Sequence, residues 1–316
     1  MKFLFISPRY SGGIGGHAAM LATQLENSGH DVTKMKIPHI PIKNLKNPSF
    51  AILGAIKGII DRENYDIVHA FNIPSAFAMR YVKGKKKVLS VHGVFSDQVK
   101  VLHSETSGTL AKRVEYKVLH WADKLTTDSI ISQKIYKEKF GFDFECLPSA
   151  IDSSKLDEIP SVEKIKNQVI YIGRDSYEKG IDILKNIESK INGKVVYCTN
   201  LTWEETMILL KKSNLIVVPS RMESLPTNIK EAFYLKIPVV ASNIGGIPEL
   251  VTHNKTGILI PNNDSNKLSH EINNLLNNEE KAKIFSENAY EFVTKNLTWK
   301  IILPKYIQFY EDLLNN

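Results

Sequence analysis

The chain has 316 residues, 43% hydrophobic, 24% charged and 9% aromatic, with 17 Gly and 13 Pro. That is the composition of a globular protein, at a length suited to about two domains, and it excludes fibrous and disordered classes. The net charge of +7 sits in the first half: residues 1–150 hold 21 Lys and Arg against 13 Asp and Glu, the remainder 20 against 21. In chain order, Lys2 to Ile6 reads as a strand, Ser11 to Gly16 as a glycine-rich turn, and Ala18, Leu21, Ala22 and Leu25 recur at helical spacing up to Gly29. Further strands are predicted at Asp31–Ile37, Asp66–Ala70, Lys87–Val91, Lys124–Thr127 and Phe144–Leu147, with helices over Arg113–Trp121 and Ile130–Phe140. Pro148 to Pro160, polar and bounded by prolines, reads as a linker. A second series follows, with strands at Gln168–Ile172, Lys194–Cys198, Leu215–Val218, Pro238–Ala241 and Gly257–Ile260. Helices lie between and after them at Gly180–Lys190, Glu204–Lys212, Pro226–Leu235, Asn266–Leu276 and Glu279–Lys295, and Lys300–Leu314 closes the chain. Strands alternating with helices imply an α/β protein of two doubly wound, Rossmann-like lobes with a cleft between them. Ligands of such sheets bind beyond the carboxyl ends of the strands.

The basic excess is densest at Lys83-Gly84-Lys85-Lys86-Lys87 and fits either solubility or an anionic partner, such as a membrane surface or a phosphorylated acceptor. With 35 Lys and only 6 Arg, nucleic acid is disfavoured, because Arg is the usual planar reader of phosphate and bases. Two cysteines, Cys146 and Cys198, form neither a disulfide framework nor a zinc motif, which points to a reducing compartment. The stretch Phe50–Ile60, interrupted by Lys57, is too short to span a bilayer, and the opening apolar run is too short for a signal peptide. A cytoplasmic protein is expected. With its flanking prolines, Phe50–Ile60 suits either a core helix or a peripheral contact with an anionic membrane.

Four motifs carry chemistry. Gly13-Ile14-Gly15-Gly16-His17-Ala18 lets backbone N–H groups approach an anion. No acidic residue ends the second strand, which disfavours NAD; Lys34 or Lys36 could still meet the 2′-phosphate of NADP. After the strand Leu215–Val218 comes Pro219-Ser220-Arg221-Met222-Glu223-Ser224-Leu225-Pro226-Thr227, with Glu231 further on. Pro226 suits a helix start, so Glu223 lies in the loop and Glu231 inside the helix. Helix-mouth N–H groups flanked by two carboxylates suit a phosphate held between hydroxylated rings, as in a sugar nucleotide. Arg174 and Lys179 bracket the loop after Gln168–Ile172 and can clamp a diphosphate. His92 directly follows a strand of the first lobe. The absence of Asp-x-Asp and of the usual metal and nucleotide motifs favours diphosphate stabilisation by fixed cations, with no metal and no further cofactor.

Together these residues resemble a retaining family 4 glycosyltransferase of the GT-B fold. The resemblance runs through Gly12-Gly13 with His17, Gly173-Arg174 with Lys179-Gly180, and the block from Pro219 through Glu223 and Glu231 to Gly245-Gly246-Ile247-Pro248-Glu249 and Thr256-Gly257. It implies an acceptor lobe over 1–157, with the closing helix 298–316 packed back on it, and a donor lobe over 158–297. It further implies that Glu231 binds the donor ribose, that Arg174, Lys179, Gly13 and the N–H groups of Leu225 and Thr227 hold the diphosphate, and that Glu223 and His92 are catalytic, beside the transferred sugar. The implied acceptor is a glycan or a lipid-linked glycan. Two departures stand out: Lys194 to Asn214 leaves room for one βα unit where two are usual, and Lys236 replaces a glycine before the Pro238 strand. An NADP-linked oxidoreductase and a non-catalytic basic binding module are the alternatives.

Overall fold

The computed structural model describes residues 1–8, 13–40, 42, 45–102 and 104–315. The expected turn residues Ser11 and Gly12, and Pro41, lie outside them. The chain forms two units, Met1–Ser149 with Ile302–Asn316, and Ala150–Ile301.

The first unit runs β1 (Lys2–Pro8), α1 (Gly13–Asn27), β2 (Asp31–Ile37), α2 (Lys46–Ile60), β3 (Asn64–Phe71), α3 (Ala76–Met79), β4 (Lys83–Ser90), α4 (Phe95–Leu102), α5 (Glu105–Leu119), β5 (Lys124–Thr127), α6 (Ile130–Phe140) and β6 (Glu145–Cys146). Its sheet is parallel, in the order β2-β1-β3-β4-β5-β6. Strand residues alternate between the two faces. Leu4, Ile6, Val68, Ala70 and Leu89 join Phe50, Met79 and Val118 in one buried cluster. On the other face, Phe3 meets the Tyr310 ring at 4.9 Å and Phe5 the His69 ring at 5.4 Å. That second face is polar inside: His69 Nε2 bonds Ser90 Oγ at 2.6 Å, and Ser90 Oγ bonds Thr126 Oγ1 at 2.5 Å. Full burial pushes the His69 imidazole well below its ordinary pKa, so it is neutral and can accept as well as donate.

The second unit runs α7 (Ser153–Asp157), β7 (Gln168–Ile172), a 3-10 turn Tyr177–Lys179, α8 (Ile181–Ile187), β8 (Lys194–Cys198), α9 (Trp203–Lys212), β9 (Leu215–Val218), α10 (Thr227–Tyr234), β10 (Val239–Ser242), α11 (Ile247–Leu250), β11 (Ile258–Ile260), α12 (Ser265–Leu276) and α13 (Glu279–Asn296). Its five parallel strands lie in the order β8-β7-β9-β10-β11. Strand for strand this repeats the order of the first five in the first unit, and in each the order reverses beside the first strand.

Two sequence expectations need correction. The segment Pro148–Pro160 is not a free linker: the Asp152 side chain accepts from the Lys155 N–H at 3.2 Å, starting α7. Ile151, Leu156 and Ile159 are buried in the second unit's core, so the units divide between residues 149 and 150 rather than at 157/158. The Lys83–Lys87 run is the first half of β4, paired with Asn64–Val68 of β3, although Lys has low intrinsic strand preference. The final helix α14 (Trp299–Asn315), which contains Pro304, belongs to the first unit from Ile302 onward. There the buried Tyr306 and Tyr310 bond His17 Nε2 at 3.1 Å and His69 Nδ1 at 2.7 Å.

Candidate active site

In the second unit β7 and β9 are parallel neighbours, Val169 beside Leu215 and Tyr171 beside Val217. This is where the strand order reverses, so the loops leaving β7 and β9 are splayed apart by their connections and open a crevice. The Arg174–Lys179 loop follows β7 and the Pro219–Pro226 loop follows β9. The topology therefore brings together two motifs that lie more than forty residues apart in sequence.

The pairing is close. Lys179 Nζ lies 2.7 Å from Glu223 Oε1, which also accepts from Ser220 Oγ at 2.9 Å. The Glu223 side chain is only 8% exposed, so the ammonium and hydroxyl replace the water that a buried carboxylate otherwise needs. The Arg221 and Met222 N–H groups both donate to Glu178 O, at 2.9 and 3.2 Å. Gly180 ends the 3-10 turn at φ +66°, where a Cβ would stand 2.0 Å from Pro219 O; only glycine lets the turn lie this close. Gly245, at φ +50°, approaches from the β10 side, and a Cβ there would stand 2.0 Å from Glu223 O.

Arg174 is 72% exposed and donates to the largely buried Glu178 at 2.9 Å; its carbonyl accepts from Tyr171 OH at 2.8 Å. Arg221 grips Asp182 through two bonds of 2.7 Å, donates to Tyr177 O at 2.8 Å and lies 4.1 Å from the Tyr177 ring centre. It fixes the turn that presents Lys179.

The helix α10 begins at Thr227, with Pro226 as its cap residue and no side chain bonded to the cap. First-turn N–H groups of a helix have no partner within the helix, and their positive end suits an anion. Asn228 Nδ2 donates to Ile172 O at 2.9 Å, tying this helix mouth to the end of β7. Leu225 is buried just before it. In the next turn Glu231 Oε1 accepts from Trp203 Nε1 at 2.7 Å. Desolvation pushes the Glu231 carboxyl up to about 7, against the Trp203 hydrogen bond and the charges of Lys230 and Lys155. Lys155 Nζ in turn lies 4.5 Å from the Trp203 ring centre.

In the first unit, His92 follows β4, with Nδ1 3.3 Å from Asp128 Oδ2 just beyond β5. The His17 ring lies 5.2 Å from the His92 ring. The loop after His92 turns at Gly93, φ +75°, and enters α4. There the buried Glu115 accepts from the N–H groups of Phe95 and Ser96, at 2.9 and 3.0 Å, and from Tyr136 OH at 2.6 Å. Gly13 opens α1 at φ +55°, with no atom of the described residues within 4 Å of where a Cβ would stand.

The structure thus joins Lys179 to Glu223 beside the mouth of α10 that carries Leu225 and Thr227, and seats Arg174 on Glu178 in the same loop pair. Glu231 answers to Trp203, while His92 and Gly13 belong to the other unit. Arg221, Glu178, Gly245, Trp203 and Glu115 were missed as supporting residues. Of these Arg221, Glu178 and Gly245 stand inside the sequence motifs. Among the described residues, no group of three or more His, Cys, Asp and Glu side chains is placed to hold a metal ion. A depression of about 700 Å³ lies at the amino ends of β1, β3 and β4, lined by Lys2, Asp66, Lys83 and Lys85. It is at the end of the sheet away from the ligand-binding loops, and Lys2 and Lys85 already pair with Glu63 and Asp66.

Comparison with known proteins agrees with this layout. Residues 185–292 match the family model described as glycosyl transferases group 1, and residues 11–155 the model described as glycosyltransferase family 4. An uncharacterized glycosyltransferase of Methanocaldococcus jannaschii is 26% identical, over 96% of this chain and 95% of its own length. The N-acetyl-alpha-D-glucosaminyl L-malate synthase of Bacillus anthracis is 24% identical, over 84% of this chain and 80% of its own length. Among solved structures, sucrose-phosphate synthase from Thermosynechococcus elongatus superposes with a TM-score of 0.79 at 18% identity, covering 100% of both chains. Anabaena HepE in complex with UDP-glucose superposes at 0.75 and 16% identity, covering 99% of this chain and 100% of its own. Both sheets are parallel and twice wound, the whole chain superposes on GT-B enzymes, and both halves of the sequence match: the chain belongs to the group 1 glycosyl transferases, with an N-terminal half of the family 4 type.

Proposed function

We propose that the protein transfers a sugar, with retention of anomeric configuration, from a nucleoside diphosphate sugar to an acceptor hydroxyl in glycan, polysaccharide or glycolipid biosynthesis. The observation that carries this reading is the Lys179–Glu223 pair beside the mouth of α10, whose cap residue is Pro226. A diphosphate entering there meets Arg174, Lys179 and the N–H groups of Leu225 and Thr227. As the bond from the anomeric carbon to the diphosphate breaks, charge grows on the leaving oxygen. Fixed donors then act more strongly on the transition state than on the ground state. The acceptor oxygen attacks from the face the diphosphate leaves, and its proton passes to the departing phosphate oxygen. Glu223, already held by Lys179 and Ser220, orients the sugar and is not a covalent nucleophile.

Glu231 takes the ribose hydroxyls, with Trp203 holding its carboxylate in place. His92, braced by Asp128, and Gly13 are assigned to the sugar and the diphosphate by the family resemblance. Fixed cations carry the leaving-group charge, with no metal and no further cofactor. HepE, whose structures contain UDP and UDP-glucose, supports a nucleotide-sugar donor. Cys146 and Cys198 are not joined in a disulfide, which suits a cytoplasmic site of action. The test is transfer from a panel of nucleoside diphosphate sugars, in chelator, with the product anomer read by NMR. An α-linked sugar donor giving an α-linked product supports the reading. Inversion, strict metal dependence, or stabilisation by NADPH in place of every nucleoside diphosphate overturns it.

A further inference from the structure

The helix α2 turns only part of its apolar surface inward. Phe50 and Leu53 pack on the core, and beyond them the inward positions are glycine: a Cβ on Gly54 would stand 3.0 Å from Ile37 Cδ1, and one on Gly58 would stand 2.4 Å from Ala78 O. Its isoleucines point the other way. Ile52, Ile56, Ile59 and Ile60, spaced i, i+4, i+7 and i+8, share one face and are 62%, 47%, 54% and 66% exposed. Ile42 and Leu45, just before the helix, are 57% and 47% exposed. A helix serving only the fold places such residues against the core, and a contiguous apolar face left in water marks a contact surface.

The charge of the segment that carries this face selects the partner. Residues 34–62 contain Lys34, Lys36, Lys43, Lys46, Lys57 and Arg62, against one carboxylate, Asp61. Asp61 is taken up locally, accepting from the Glu63 N–H at 3.0 Å and from Tyr65 OH at 3.4 Å. Of the bases, Lys34 pairs with Glu26 from α1, and Lys57 Nζ bonds only a carbonyl, Lys36 O, at 3.0 Å. Branched aliphatic side chains on a segment of this net positive charge suit a surface whose headgroups are anionic and whose interior is hydrocarbon. Among the described residues no helix is long and apolar enough to cross a membrane, so the contact is a docking and not a span.

We infer that the isoleucine face of α2 docks the protein on an anionic lipid bilayer. This goes beyond the donor chemistry and does not depend on it. The test is flotation of the full chain with phosphatidylglycerol-containing vesicles, beside pure phosphatidylcholine vesicles, with oligomeric state measured by sedimentation. The protein is expected to float with the anionic vesicles, to be released by salt, and to stay monomeric without lipid. Ile56→Ser with Ile59→Ser lowers vesicle partitioning at least about tenfold, and Lys57→Glu lowers it as well. Both variants keep the wild-type melting temperature and nucleoside diphosphate affinity. Failure to float, flotation equal on neutral lipid, or flotation unchanged in the isoleucine variant overturns the inference. So does a wild-type dimer that this variant dissociates, which assigns the face to a second copy of the chain.

Discussion

Glu231→Gln separates stability from binding at the donor site. The carboxyl is raised from 4.5 to about 7 by desolvation, so the folded unit binds a proton more tightly than the unfolded chain does. A group raised in this way contributes its full stability below about pH 4.5 and loses it as pH climbs through 7. At 1.36 kcal/mol per pH unit, ionised Glu231 costs the folded state about 3 kcal/mol at pH 8. Glutamine still accepts from Trp203 Nε1 and carries no charge. For a unit of about 150 residues the variant should melt roughly 5–10 °C higher at pH 8, with the gap closing toward pH 4.5. Nucleoside diphosphate affinity should fall about 10–100-fold, the loss of one charge-assisted hydrogen bond to a ribose hydroxyl. Melting curves followed by circular dichroism from pH 4.5 to 8, with calorimetric titration at pH 8, measure both. A Gln variant that melts lower at pH 8, or by the same amount at every pH, refutes the desolvation argument.

Lys179→Met strands the buried Glu223 carboxylate; it should destabilise the second unit by about 1–3 kcal/mol and cut turnover about 100-fold, measured by denaturant unfolding and initial rates. Gly180→Ala combines a left-handed backbone with a clash against Pro219 O, and should cost at least about 2 kcal/mol in the same unfolding assay. Glu115→Ala takes the acceptor from the Phe95 and Ser96 N–H groups and the shorter of two acceptors from Tyr136 OH, and should cost the first unit about 3 kcal/mol. Hydrogen exchange at Phe95 and Ser96 should rise with it, and unchanged protection there would remove the role given to Glu115.

Much of the second sheet was legible because its strands are short apolar runs between polar or glycine-bearing loops. Gln168–Ile172, Lys194–Cys198 and Leu215–Val218 carry the bounds read from pattern alone. The basic half of β4 was not, because lysine disguises a strand whose place is set by pairing with β3. The core role of Ile151, Leu156 and Ile159 was hidden by their polar neighbours. Lys236 does adopt the left-handed backbone the missing glycine would have supplied, at φ +55°, while its side chain pairs with Glu287 at 2.8 Å. Within the site, the motifs named Lys179 and Glu223, yet their contact spans 44 residues and needs the strand order to be known. Trp203 with Glu231 and Arg221 with Asp182 are illegible for the same reason: each is a pair created by packing, with no local pattern.

The most direct test of the account is calorimetric titration of nucleoside diphosphates, in chelator, into the wild-type chain and into Arg174→Ala. At least one nucleoside diphosphate should saturate a single site on the wild-type protein, and the substitution should weaken it about 10–100-fold at a temperature where both proteins are fully folded. Binding that is absent for every base, or indifferent to the loss of the Arg174 guanidinium, contradicts the claim that this crevice holds the donor diphosphate with fixed charge.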